Sequence, residues 1–298
     1  MIKAMHYFGK SADAPIATPA AYRDHSHGYT QSQLINHTSG SVHTGTSLNF
    51  LEPGGSVAPH VHSFEVGMYL LEGEVILGLG DRAYALVAGD YAAIKVGTPH
   101  SWRNASAHPA RWLRMAAPQP KPEGKERDTF FFKSGTAGFV KAGVAASAGK
   151  PLSAGIAEGD LLGHFDVTEI PPVDQRTSAI AAAPGVFLKW MIDEKFGARH
   201  HRLLFIEYQP GVGIPLHDHT FEESYFILSG EIEAVMDGQR YLAKAGDVLW
   251  TSVGCVHSFT NIGTEPVRWI ETFAPQPPAE NVFRFMAEWE KKAKEIEG

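Results

Sequence analysis

Residues 211–230 read GVGIPLHDHTFEESYFILSG. Gly and Pro at its start and Gly230 at its end bracket a β-prone run from Glu223 to Leu228. His217 and His219 are two apart, so on a strand they share one face. Glu223 comes four residues after His219 and keeps the same parity, so it returns to that side if the chain stays extended. Downstream, residues 246–261 read GDVLWTSVGCVHSFTN, and His257 arrives after the Gly246-Asp247 turn, at the head of another β-prone stretch. Three imidazoles and one carboxylate suit a borderline divalent ion such as Fe, Mn, Ni, Cu, Co or Zn. Two strands holding these ligands leave one or two coordination positions for water or substrate.

The same pattern occurs earlier in the chain. A shift of 157 residues aligns two halves without a gap. His60 and His62 fall on His217 and His219, Ala88-Gly89-Asp90 on Ala245-Gly246-Asp247, His100 on His257, and Arg111-Trp112 on Arg268-Trp269. Of the 68 positions from 53 to 120, 25 are identical, against roughly 4 expected by chance from ordinary composition. A period this long indicates two copies of one domain rather than a solenoid. The elements are short β-prone runs, such as Leu203–Tyr208, Glu231–Met236 and Val267–Phe273, punctuated by Gly and Pro as in a sandwich or barrel. Residues 1–120 are expected to form one barrel with its leading strands, and 161–278 the second. Residues 121–160, charged at first and later rich in Gly, Ala and Ser, read as the connection. Its Phe130-Phe131-Phe132 is expected to dock onto a barrel. Glu280–Glu297 carries Val282, Phe283, Phe285, Met286 and Trp289 at near-helical spacing, which makes 279–298 a short amphipathic helix.

Composition limits the remaining classes. The 298 residues are 44% hydrophobic and 20% charged, as in a globular protein that buries its own core. A single cysteine, Cys255, excludes an intramolecular disulfide. No apolar run reaches the ~18 residues of a membrane span, and the first ten residues, MIKAMHYFGK, do not read as a signal peptide. The expectation is a cytoplasmic protein. A net charge of −7, with no basic stripe, argues against a nucleic-acid partner.

The spacing G-x5-H-x-H-x3-E-x6-G, met by Gly211, His217, His219, Glu223 and Gly230, resembles the first cupin motif. The second, G-x5-P-x-G-x2-H-x3-N, resembles the run through Gly246, Gly254, His257 and Asn261, with Ser252 at the Pro position. The first copy matches at Gly54, His60, His62 and Gly73, then Gly89, Gly97, His100 and Asn104, with Lys95 at the Pro position. The resemblance implies an all-β fold of two tandem jelly-roll barrels, a bicupin, with a metal site in each mouth. It implies a divalent first-row metal, Fe, Mn, Ni, Cu or Zn, with one per chain expected and two as the upper limit. It says less about the reaction, because cupins host many chemistries.

The two copies are not equal. Val66 stands where the second copy has Glu223. Glu65 aligns with Glu222 and is out of parity, so it faces away from the metal and suggests a shared surface or interface role. His60, His62 and His100 therefore form a weaker, charge-poor second site. Parity turns Glu223, Tyr225 and Ile227 into the second pocket, and Val66, Met68 and Leu70 into an apolar first one. Phe205 and Phe259 are candidate walls, and Cys255 an ordinary turn residue. Glu223 and Tyr225 are the candidate catalytic residues, the phenol orienting substrate or donating a proton. The first functional expectation is a dioxygenase acting on a small organic substrate, like quercetin-dioxygenase-like bicupins. The alternative is a non-oxidative metal-dependent bicupin (aminohydrolase, decarboxylase, isomerase or lyase), of which ureidoglycine aminohydrolases are examples. A third is a binding or sensor cupin without catalysis. The candidate partners are the small-molecule substrate and a second copy of the chain.

Overall fold

Alternation along the strands places two different cores on the two faces of each inner sheet. In Val267–Ala274, Val267, Trp269 and Phe273 pack inside one barrel, while Ile270 points to the other half of the molecule. In its twin, Ala110–Ala117, Trp112 and Ala116 point inward, and Leu113 and Met115 outward. Both faces are buried, so these strands read as nearly continuous apolar runs. The structure, a computed structural model, describes residues 5–132, 161–176 and 185–277, together with 284–287, 290, 291 and 294.

The C-terminal half curls two antiparallel sheets around its core. One has the order His6–Lys10, Asp247–Thr251, Glu222–Ser229, Val267–Ala274, Arg202–Tyr208, Val186–Ile192. The other has the order Gln239–Lys244, Glu231–Met236, His257–Thr260, Gly213–Asp218, Arg284–Phe285. In the N-terminal half one long strand, Gly45–His62, spans the counterparts of both Arg202–Tyr208 and Gly213–Asp218 and joins the sheets into one. Gly73 and Gly230 end the first motif with φ of 76° and 78°. A Cβ there would meet Pro109 O at 2.4 Å and Val267 Cα at 2.7 Å, so only glycine fits the turn. Asn104 and Asn261 are structural: each side-chain amide donates to two backbone carbonyls, Leu51 and His108 in one barrel, Tyr208 and Glu265 in the other.

The barrels exchange their leading strands. His6–Lys10, expected in the first barrel, pairs with Asp247–Thr251 of the second. Leu162–His164 of the second half pairs with Asp90–Ile94 of the first. Each covers a sheet edge that would otherwise carry unpaired backbone groups. The expected connection also begins inside the first barrel. Thr129–Phe131 pairs with His60–His62, and Phe131 stacks on His25 and His60 at 4.1 and 4.9 Å between ring centres. Phe130 is not docked: it is 42% exposed, with Arg127 over its ring. Residues 133–160 lie outside the described residues.

The C-terminal segment departs from a single helix. Arg284–Phe285 is a strand that continues the sheet beside Gly213–Asp218, with Phe285 opposite His217. Helix is found at 286, 287, 290, 291 and 294. The open edge of Gly213–Asp218 takes up the extended residues, because strand pairing satisfies its backbone groups. Val282, Phe283 and Trp289 lie outside the described residues.

Between the barrels a third core includes Leu113, Phe205, Phe226, Trp250 and Ile270. Two buried carboxylates flank it in twin positions. Glu222 accepts from the backbone N–H groups of Val42, His43 and Thr44 and from Ser41 Oγ. Glu65 accepts from the N–H groups of Arg199 and His200 and from His201 Nδ1 at 2.8 Å. Burial pushes the Glu65 carboxyl up, but His201 and these N–H donors outweigh it and hold it below its ordinary value. Both acids face away from the histidines, as their parity requires, and serve the interface.

Candidate metal centres

His217 is next to last in the strand Gly213–Asp218, His219 follows that strand, and His257 opens the neighbouring one, with His217 directly opposite His257. Their ligand nitrogens lie within 4.8 Å of one another, and all three side chains are buried. His217 Nδ1 donates to Pro215 O at 2.6 Å, and His257 Nδ1 to Cys255 O at 2.9 Å. A carbonyl only accepts, so in both rings Nδ1 holds the proton and Nε2 offers its lone pair. Glu223 enters from Glu222–Ser229, with Oε1 3.4 Å from His219 Nε2 and Oε2 3.2 Å from His257 Nε2. This donor set of fixed imidazole tautomers and a converging carboxylate fits a divalent first-row metal.

The Tyr225 hydroxyl donates to Glu223 Oε2 at 2.5 Å and lies 3.3 Å from His257 Nε2. Burial pushes the Glu223 carboxyl up, yet His219, His257 and this hydroxyl prevail and bring it down to about 2. Burial and the Glu223 charge raise the Tyr225 phenol, so it keeps its proton. Burial, followed by the neighbouring imidazoles, lowers His217 to about 3, so the ring is neutral at ordinary pH. The pocket is walled by Ile206, Ile214, Phe259 and Trp269. It contains one acid that sequence reasoning missed. Glu271 receives a hydrogen bond from Trp269 Nε1 at 2.9 Å, and burial together with the Glu223 charge raises its carboxyl well above the ordinary range. Its parity with Trp269 was the available signal.

The N-terminal triad repeats this geometry. His60 pairs in register with His100, and the three ligand nitrogens again lie within 4.8 Å. His60 and His100 donate from Nδ1 to Ala58 O and Thr98 O, at 2.8 and 3.0 Å. His62 Nδ1 sits 3.0 Å from Thr129 Oγ1. Burial lowers all three imidazoles, His100 to about 4. The donor set fits a dication but lacks a carboxylate. The pocket is not apolar as expected. Val66 lines it, but so do Tyr29, Asn49 and Arg114, whereas Met68 and Leu70 belong to the barrel core.

Two further placements differ from parity arguments made strand by strand. Ile227 packs in the barrel core rather than on the pocket wall, and Phe205 lies between the barrels, because Leu204, Ile206 and Tyr208 take the inner face of its strand. Cys255 is fully buried, and burial raises its thiol, so it offers no nucleophile. Arg111 and Arg268 brace strands through Glu72 and Glu207.

Comparison with known proteins agrees with this architecture. Residues 48–115 and 204–273 each match the Cupin domain model. Quercetin 2,3-dioxygenase of Bacillus subtilis (strain 168) is 28% identical over 241 residues. That match covers 69% of this chain and 66% of the relative, just under two thirds of its length. Among solved structures, the oxalate decarboxylase formate complex of Lactobacillus farciminis superposes with a TM-score of 0.66 at 18% identity, covering 97% of this chain and 90% of that one. A putative glyoxylate-induced protein from Pseudomonas aeruginosa gives 0.66 at 14% identity, over 94% and 92%. Two barrels in one chain, each with a histidine triad in its mouth and each matching the Cupin domain model, give this protein a bicupin architecture.

Proposed function

We propose that the chain is a metal-dependent dioxygenase whose working centre is the C-terminal site, with His217, His219, His257 and Glu223 as ligands. The carrying observation is the convergence of Glu223 on the triad, held by Tyr225, inside a pocket with apolar walls. The metal would supply Lewis acidity and a meeting point for an enolate-like substrate and O2. The protein's own residues do the rest. His217 and His257 are fixed through their Nδ1 bonds, and His217 stays neutral. Ile206, Phe259 and Trp269 exclude water and present a flat apolar substrate. Tyr225 keeps its proton and donates a hydrogen bond to Glu223 Oε2, which fixes the carboxylate beside the substrate. The likeness to quercetin 2,3-dioxygenase supports the same class of chemistry.

A second reading rests on Glu271. A buried carboxyl that stays protonated is a proton donor in the same pocket, which favours a non-oxidative lyase or hydrolase reaction. Oxygen consumption with a panel of catechols, enols, flavonols and diketones separates the two. The dioxygenase reading expects metal-dependent O2 uptake, one molecule per substrate consumed, lost in His219→Ala and retained in His60→Ala. Turnover without O2 uptake, abolished by Glu271→Gln, overturns it in favour of the second.

A further inference from the structure

The two pockets share their histidines and differ in charge. With the shift of 157 residues, Glu223 corresponds to Val66 and Glu271 to Arg114. Asn49 and Tyr29 take the places of Ile206 and Val186. The C-terminal pocket therefore holds two acids, and the N-terminal pocket holds none and gains a guanidinium. Arg114 lies on Ala110–Ala117, on the same face as Trp112, with its Cζ 5.1 Å from the centre of the Phe64 ring. His62 stacks on that same ring at 4.4 Å. Among the described residues no carboxylate pairs with Arg114.

A guanidinium and a dication would gather three positive charges in one buried pocket, where they are poorly screened. Without a dication, the inward Nε2 lone pairs of His60 and His100 repel an anion. Metal and anion each remove the obstacle to the other. Arg114 presents the planar fork that recognises a carboxylate. The cavity is narrow and walled by Tyr22, Tyr29, Trp102 and Trp112, which limits the ligand to a small one.

We propose that the N-terminal pocket is a joint site for a divalent metal and a small carboxylate, in which the carboxylate, anchored by Arg114, supplies the anionic oxygen that the chain itself lacks at Val66. This goes beyond the proposed function, which concerns the other barrel, and stands independently of it. Linkage makes the two affinities mutually enhancing by the same factor.

Equilibrium dialysis of the full chain against Mn(II), with acetate as the probe, tests this. The His219→Ala chain is used beside the wild type so that only the N-terminal site counts. In carboxylate-free buffer the His219→Ala chain is expected to bind Mn(II) weakly, and saturating acetate to tighten binding about tenfold or more, reaching one ion per chain. Arg114→Gln should abolish the acetate effect, and Arg114→Lys should restore part of it. Val66→Glu combined with Arg114→Glu, which recreates the twin's charges, should bind Mn(II) tightly without acetate. Thermal melts of each variant identify chains that fail to fold. Tight Mn(II) binding without acetate in the His219→Ala chain, an acetate effect that survives Arg114→Gln, or no Mn(II) at any acetate concentration would each overturn the proposal.

Discussion

At the scale of single residues, the chemistry of the C-terminal pocket turns on a hydrogen bond. Tyr225 donates to Glu223 at 2.5 Å and is one reason the carboxyl stays ionised. Removing the hydroxyl leaves the ligands in place but frees Glu223 to rotate. Tyr225→Phe is therefore expected to weaken metal binding or turnover by ~10–100-fold, as losses around a ligand do. Chelator competition measures it, and an unchanged affinity together with unchanged turnover would reduce Tyr225 to a packing residue. The imidazoles carry a pH signature. His217 titrates near 3 and His100 near 4, below the ordinary 6.5, because burial disfavours their charged forms. Unfolded, they take up protons as the pH drops below about 6.5; folded, they resist until about 4 and 3. The unfolded state binds more protons across that window, so stability rises with pH there and is lost on acidification. The melting temperature of metal-free protein should hold level above pH 7 and begin to fall near 6.5, above the range where Glu223 titrates. A level profile down to pH 4.5 would contradict the burial of these rings.

At the scale of elements, the decisive features are edges and corners. Asp247–Thr251 has Glu222–Ser229 on one side and the borrowed strand His6–Lys10 on the other. Deleting residues 1–10 exposes that edge. The truncated chain should melt earlier and associate as its concentration rises, which light scattering detects; an unchanged melt and a constant mass would show the strand to be dispensable. Glu65 organises the corner at 199–201. Glu65→Ala strands two backbone N–H groups and His201 in a buried site, and is expected to cost about 3 kcal/mol in denaturant unfolding. Glu222→Ala should cost a similar amount at the twin corner. A loss below about 0.5 kcal/mol would place Glu65 among surface residues instead.

At the scale of the whole molecule, the duplication made most of the fold readable. Period-two placement of His217, His219 and Glu223 brought three candidate ligands to one side, and the repeat located the second triad. Parity also put Glu65 and Glu222 off the site, though not on the N–H groups they bind. Long-range choices were hidden. Nothing local to His6–Lys10 says that it pairs with Asp247–Thr251 rather than with its own barrel, because either edge satisfies its backbone. Phe285 sits in a helical pattern yet pairs opposite His217, because an open strand beside it outweighs propensity. Arg114 and Glu271 lay in plain view at matching positions of the repeat, but their meaning needed the inner face of their strand to be known, and Trp112 and Trp269 alone suggested only a structural role.

The central claim is that the two barrels are chemically unequal and that the C-terminal one holds the metal unaided. Metal content per chain tests it most directly. Chelator-treated protein is reloaded with Mn(II) or Fe(II) in carboxylate-free buffer, desalted and analysed for metal, as wild type, His219→Ala and His60→Ala. The expected result is about one ion per chain in the wild type and in His60→Ala, and almost none in His219→Ala. Metal retained in His219→Ala and lost in His60→Ala, or no metal in any of the three, would contradict the account.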